Sequence, residues 1–244
     1  MSGILSFLYD FSISKLPYIT IIVFVLGIFL RLRRFFSAPK DPLKENIDFI
    51  ASIKFIILDV VLFRKTFKSD KFTWIVLFLF HASVAGIIFG HLRGFHIWSA
   101  SIFAPFGEHV TDFMIHILPI YVGWIFIVTQ IILLWRRFSL ESTKLVSLPN
   151  DYIALILLLI KSVLGQGMRL FPYEAITSEF YDVIFIPRFV VLHLEKMPSY
   201  HWFNLHIIFT QLFIMYIPYS KIIHTITGVI TSAIYGSRRK QFGI

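Results

Sequence analysis

A chain of 244 residues that is 57% hydrophobic and only 15% charged, with a mean hydropathy of +0.78, is too poor in charge for a water-soluble domain, which carries about 25%. Its 28 phenylalanines and net charge of +9 point to a bilayer with anionic headgroups rather than to nucleic acid. The absence of cysteine excludes disulfides, thiolate zinc, iron–sulfur ligation and covalently attached c-type haem. Redox or metal chemistry is left to the nine histidines, methionine and carboxylates.

A hydrocarbon core about 30 Å thick takes roughly 20 residues of helix. Five apolar runs qualify, at residues 16–30, 72–92, 113–135, 152–170 and 202–223. The first is short and extends upstream through Tyr9 and Phe11; with Asp10 near the start, no basic region and no small-residue cleavage site, it is expected to stay in the protein. Residues 47–63 are apolar but interrupted by Asp48, Ser52, Lys54 and Asp59. They read as an interfacial helix on the cytoplasmic side, lying on headgroups, docking a partner or covering the bundle. The loop over 171–201 holds Pro172, Pro187 and Pro198 and is expected to be ordered only in part. With no internal repeat, the expectation is an all-α, integral membrane five-helix bundle with one additional interfacial helix, a single domain over residues 1–244.

Lys and Arg collect on the cytoplasmic side of membrane proteins. Of the 23 basic residues, 17 fall after or at the inner ends of the first, third and fifth spans, and five on the other side; Lys161 alone sits well inside a span. This predicts a multi-pass protein of the cell membrane with its N-terminus outside and its C-terminus in the cytoplasm. The basic inner face is the side for a partner to dock.

Ionisable side chains at membrane depth are costly and point to function. The second span carries His81 and His91, and the fifth carries His206 near its outer end and His224 at its inner end. Antiparallel spans place His91 opposite His206 and His81 opposite His224. Two neutral imidazoles facing across a gap are a ligand set for six-coordinate haem iron, non-covalent and therefore b-type; two pairs make two haems b. Helix rise sets His81 and His91 about 15 Å apart and His206 and His224 about 27 Å apart, a mismatch for tilt and a kink at Pro218 to absorb. On a straight helix His81 and His91 also differ by about 80° in direction. Ala82, Gly86 and Gly90 form a small-residue groove, for a porphyrin face or for helix packing.

The spacing His-x9-His ending in Gly90-His91, with His-x17-His ending in Ile217-Pro218-Tyr219-Ser220-Lys221-Ile222-Ile223-His224, resembles the gamma subunit family of respiratory nitrate reductase. That family takes in the cytochrome b subunits of heterodisulfide-reductase-like and dissimilatory sulfite-reductase-linked membrane complexes. The resemblance covers the five-span layout. It implies that His91 and His206 ligate an outer haem and His81 and His224 an inner one. It further implies that quinol is oxidised near the outer haem, or quinone reduced, with a cytoplasmic-side catalytic partner bearing iron–sulfur clusters; the chain alone does not perform the terminal reaction. Two features depart from the nitrate-reductase type. No lysine lies anywhere in residues 72–143, where that type carries one associated with quinol, and the longer insert over 37–71 resembles the heterodisulfide-reductase-like branch.

Quinol oxidation releases two protons and needs acceptors near the outer haem. His96, His109, Asp112 and His116, between the second and third spans, are the quinone and proton candidates, with solvated-loop or propionate-partner roles as the alternative. Arg93, two residues past His91, is a propionate candidate, as is Lys161, which otherwise faces another subunit or snorkels. His193 and His201, in the outer loop, are weaker iron-ligand candidates, His201 as a competitor of His206. The competing reading is a non-redox anchor or small transporter that binds protons or a metal ion through intramembrane histidines. No carboxylate lies well inside a span to join such a relay.

Overall fold

Four of the five apolar runs fold into helices long and apolar enough to cross a bilayer, and the fifth is broken. The computed structural model describes residues 3–37, 48–94, 97–171 and 200–239, excepting the side chains of residues 35, 94, 226 and 237–239. In chain order it has α1 (Gly3–Ser14), α2 (Leu16–Phe36), α3 (Phe49–Phe55) with a π-helical turn at Ile56–Val61, α4 (Arg64–Ser69) and α5 (Lys71–Gly94). A 3-10 turn at Ala100–Phe106 leads to α6 (Glu108–Asp112), a second π-helical turn at Phe113–Ile117, α7 (Leu118–Ser139), α8 (Glu141–Lys144) and α9 (Pro149–Leu170). After α10 (His201–Tyr216), two 3-10 turns at Ile217–Tyr219 and Lys221–Ile223 precede α11 (His224–Arg239). No strand occurs among the described residues. The chain is an all-α, multi-pass membrane protein.

The helices pack in a row of neighbours: α5 on α7, α7 on α9, α9 on α10, and α10 on α2. Helix association in lipid cannot draw on apolar burial, so it relies on close approach and on buried hydrogen bonds. Glutamines supply the bonds. Gln211 on α10 donates to the Ser12 carbonyl at 2.8 Å and accepts from Thr20 Oγ1 at 3.3 Å, tying α1 and α2 to α10. Gln166 on α9 donates to the Ile120 carbonyl of α7 at 3.1 Å, and Gln130, fully buried on α7, donates to Ser162 Oγ of α9 at 3.2 Å.

The fifth span stops being an α-helix at Tyr216 because Pro218 has no N–H to give and its ring blocks the preceding turn. A break near membrane depth is tolerated only where the freed backbone groups find partners. Here the Ile217 carbonyl accepts from the Ser220 N–H at 3.2 Å and from its hydroxyl at 3.0 Å, and the Tyr219 carbonyl accepts from Asn150 Nδ2 at 3.3 Å. The Lys221 carbonyl accepts from His224 at 2.6 Å. Lys221 Nζ in turn meets Asp151 Oδ2 at 2.6 Å, with Arg137 at 3.4 Å from the same oxygen, pinning the break to the ends of α7 and α9.

One expectation is corrected. The upstream apolar stretch is not an extension of the first span but a separate helix, α1, meeting α2 at Lys15 just before Pro17. The segment expected as an interfacial helix over 47–63 is helical from Phe49 to Val61, seven α-helical residues followed by a π-helical turn, and it packs against α11. Ser52 Oγ donates to the Ala233 carbonyl at 2.9 Å, and the Phe55 and Tyr235 rings meet edge-on at 5.8 Å. The basic tail is thus a helix with a docking partner 181 positions earlier in the chain. Its sequence is too polar for a span, but Gly236 lets Phe55 seat against its backbone.

At the other end of this insert Asp70 caps α5. Its Oδ1 accepts from the Thr73 N–H at 3.0 Å, its Oδ2 accepts from the Thr73 hydroxyl, and Arg136 of α7 lies 3.0 Å from Oδ2. The Thr73 hydrogen bonds, then the Arg136 charge, hold the Asp70 carboxyl below the usual carboxylate range. Its folded pKa being depressed, the stabilisation is complete above the unfolded value of about 3.9 and is lost as pH falls through the folded one. Asp70→Ala is expected to lower Tm at neutral pH by a few degrees, on the order of one lost cap. Thermal melts should show the gap to wild type closing below pH ~3.9.

Candidate functional site

The four span histidines share one feature of local geometry. His81 Nδ1 lies 2.8 Å from the Leu77 carbonyl and His91 Nδ1 lies 2.7 Å from the Ile87 carbonyl, each one helical turn back along α5. His206 Nδ1 reaches across to the Lys161 carbonyl of α9 at 2.8 Å, and His224 Nδ1 meets the Lys221 carbonyl at 2.6 Å. A carbonyl can only accept, so each neutral ring carries its proton on Nδ1 and keeps the Nε2 lone pair. Among the described residues no hydrogen bond occupies any of the four Nε2 atoms. A ring oriented through Nδ1 with a bare Nε2 is the arrangement of a metal-bound histidine with its supporting carbonyl.

Electrostatics sorts the rings into two pairs. His81 lies within electrostatic reach of His224, and His206 within reach of His91. Yet α5 and α10 are not among the closely packed helix pairs of the described residues, α7 and α9 standing between them in the row of neighbours. Gly90 fits the same picture: a Cβ added there would meet nothing within 4 Å, whereas one on Gly86 would touch Val122 Cγ1 of α7 at 3.5 Å. The small-residue row on α5 therefore divides its work, Gly86 toward helix packing and Gly90 toward open space. Lone-pair nitrogens on two separated helices, with open space beside Gly90, fit a non-covalently held haem, for which these histidines would supply the iron ligands.

Each pair has its own surroundings. His81 is flanked by the Phe63 ring at 4.7 Å and the Phe80 ring at 5.1 Å. Phe63 holds a left-handed backbone (φ 49°), a conformation costly for a bulky side chain and concentrated at functional sites. His206 sits in a socket made by a missing side chain: a Cβ on Gly165 would stand 3.0 Å from His206 Cε1 and 3.2 Å from Nδ1. Gly167 does the same for Trp202, one turn from His206 on α10. The socket glycines on α9 and the π-helical turn before Phe63 are features that helical periodicity does not single out.

The remaining candidates are less concentrated. His109, Asp112 and His116 are exposed on α6 and the turn after it, and none of their side chains is hydrogen-bonded or ion-paired among the described residues. His96 and His193 lie outside the described residues. His201 is engaged elsewhere: its Nδ1 lies 2.7 Å from the Tyr9 hydroxyl, joining α1 to the start of α10. Arg93 is half-buried at the end of α5. The cations within electrostatic reach of His91 are Lys161, expected from its mid-span position, and Arg169, overlooked because it stands at a span end where arginine is ordinary. No group of three or more His, Asp or Glu suited to a metal ion occurs among the described residues.

Residues 64–241 match the family model described as nitrate reductase gamma subunit. The chain is similar to the Hdr-like menaquinol oxidoreductase cytochrome b-like subunit of Archaeoglobus fulgidus, 25% identical over 246 residues that cover 85% of this chain and 74% of the relative. It is also similar to the protein of the same description from Archaeoglobus profundus, 26% identical over 186 residues; that match covers 69% of this chain and 55% of the relative's length. The family match runs from α4 into α11 and contains both histidine pairs. The chain belongs to the nitrate reductase gamma subunit family.

Proposed function

We propose that this chain is the di-haem b membrane subunit of a menaquinol-linked oxidoreductase. In this reading it carries electrons between the membrane quinone pool and a cytoplasmic-side partner that bears the iron–sulfur clusters and the terminal chemistry. The observation that carries the reading is the common tautomer of four histidines in two cross-helix pairs. The descriptions of the two archaeal relatives supply the quinol. His91 and His206 would hold one haem and His81 and His224 the other, with Arg93 toward a propionate; each haem, when bound, supplies a one-electron couple.

The chain's own residues do the rest. Backbone carbonyls at Leu77, Ile87, Lys161 and Lys221 orient the ligands, and Gly165 admits the His206 ring. His96, His109, Asp112 and His116 stand on the predicted outer side as proton acceptors for quinol. The absence of cysteine leaves any cluster to the partner, and the distribution of basic residues supports a partner on the inner face, C-terminus inside. The insert carrying α3 and α4, together with α11, lies on the same face, against lipid headgroups or that partner.

The chain purified in detergent is expected to give a dithionite-reduced b-type spectrum and close to two haems per polypeptide by pyridine haemochrome. A stoichiometry near zero would defeat the reading. One haem per chain would defeat the second pair.

A further inference from the structure

Lys161 is the thirteenth of the 22 residues of α9, in the middle third of a span where no other Lys or Arg occurs in any of the five. A cation at this depth is expensive to keep and needs a purpose. Its backbone and side chain face the same neighbour. The carbonyl receives the Nδ1–H of His206 at 2.8 Å, while Nζ lies over the Phe213 ring of α10, 5.3 Å from its centroid. Phe213 is seven residues, two turns, beyond His206 on the same face of α10. The ammonium thus lies on the side of His206 that faces the second histidine pair.

An aromatic face steadies a cation without neutralising it. Among the described residues Lys161 forms no ion pair. Both His91 and His206 lie within electrostatic reach of it, whereas the titratable neighbour in reach of His81 is the other ring of its own pair. A fixed positive charge near an iron disfavours the oxidised state, which carries one more positive charge than the reduced state, and the low dielectric of a bundle interior strengthens that effect.

Building on the di-haem reading, we infer that Lys161 sets the reduction potential of the haem held by His91 and His206, raising it above what the same two ligands give without the cation. The His81–His224 couple keeps its own value. One electron reduces that iron from ferric to ferrous, and Lys161 makes no bond in the process. The consequence is a better electron acceptor at the predicted outer, quinol-facing site.

The test is an optical redox titration of the intact haem-loaded chain as wild type, Lys161→Gln, Lys161→Met and Lys161→Arg, with His91→Ala used to assign the couples. The neutral variants are expected to shift the equilibrium of one couple about tenfold toward the oxidised state, ~59 mV for one electron. Lys161→Arg should retain the wild-type value, and the other couple should stay where it is. No shift in the neutral variants, or an equal shift of both couples, overturns the inference. So does loss of the haem in both neutral variants, which would make Lys161 structural. A wild type with fewer than two b couples defeats the functional reading and this inference together; two couples indifferent to Lys161→Gln defeat this inference alone.

Discussion

His206→Ala is expected to abolish one of two b-type couples and spare the other, and His91→Ala should remove the same couple. Alanine takes away the Nε2 lone pair, so the iron of that site loses a ligand outright. The loss should stay local because His206 is held by its own carbonyl and socket, Lys161 and Gly165 on α9, whereas His81 is held by the Leu77 carbonyl between the Phe63 and Phe80 rings. His81→Ala and His224→Ala should remove the second couple. Low-temperature difference spectra and haem counts on the four variants decide the pairing. If His206→Ala and His81→Ala remove the same couple, the pairs are crossed relative to the arrangement here. If every variant drains both sites equally, the two pairs are not independent sites.

The proposed histidine pairing can be drawn from the sequence because antiparallel spans convert chain order into depth, and two residues per helix leave few ways to match. The span positions were legible for a similar reason: twenty apolar residues have few alternatives to a membrane helix. What lay hidden depends on contacts distant in the chain. Pro218 announces a kink, but that the helix stops for two 3-10 turns depends on Asn150, Asp151 and Arg137, which supply partners from α7 and α9. That break also removes the basis for a 27 Å separation of His206 and His224, which assumed a continuous helix. Residues 224–239 are too polar to read as a span, and their helix follows from packing on α3. Gly165 looks like any membrane glycine until His206 is placed against it.

Gly27→Leu is expected to cost the His81–His224 couple while sparing the other. On α2, a Cβ at position 27 would stand 2.7 Å from Pro218 Cβ, 3.0 Å from Pro218 Cγ and 3.2 Å from the Tyr219 hydroxyl. A proline ring has no rotamer with which to yield, and Pro218 is buried at the break. Overpacking of this kind costs about 1–3 kcal/mol, and the element free to move is the pair of 3-10 turns rather than the long helices. His224 begins α11 directly after those turns and takes its orientation from the Lys221 carbonyl. A shift of the break therefore turns the ligand. On the His206 side α10 is anchored independently by Gln211 to Ser12 and by His206 to Lys161, so that ring stays in place. Haem counts on Gly27→Leu should fall toward one per chain, the surviving couple being the one that His206→Ala removes; Gly27→Ala should show a weaker form of the same loss. Retention of both haems at wild-type potentials would mean that the break does not position His224.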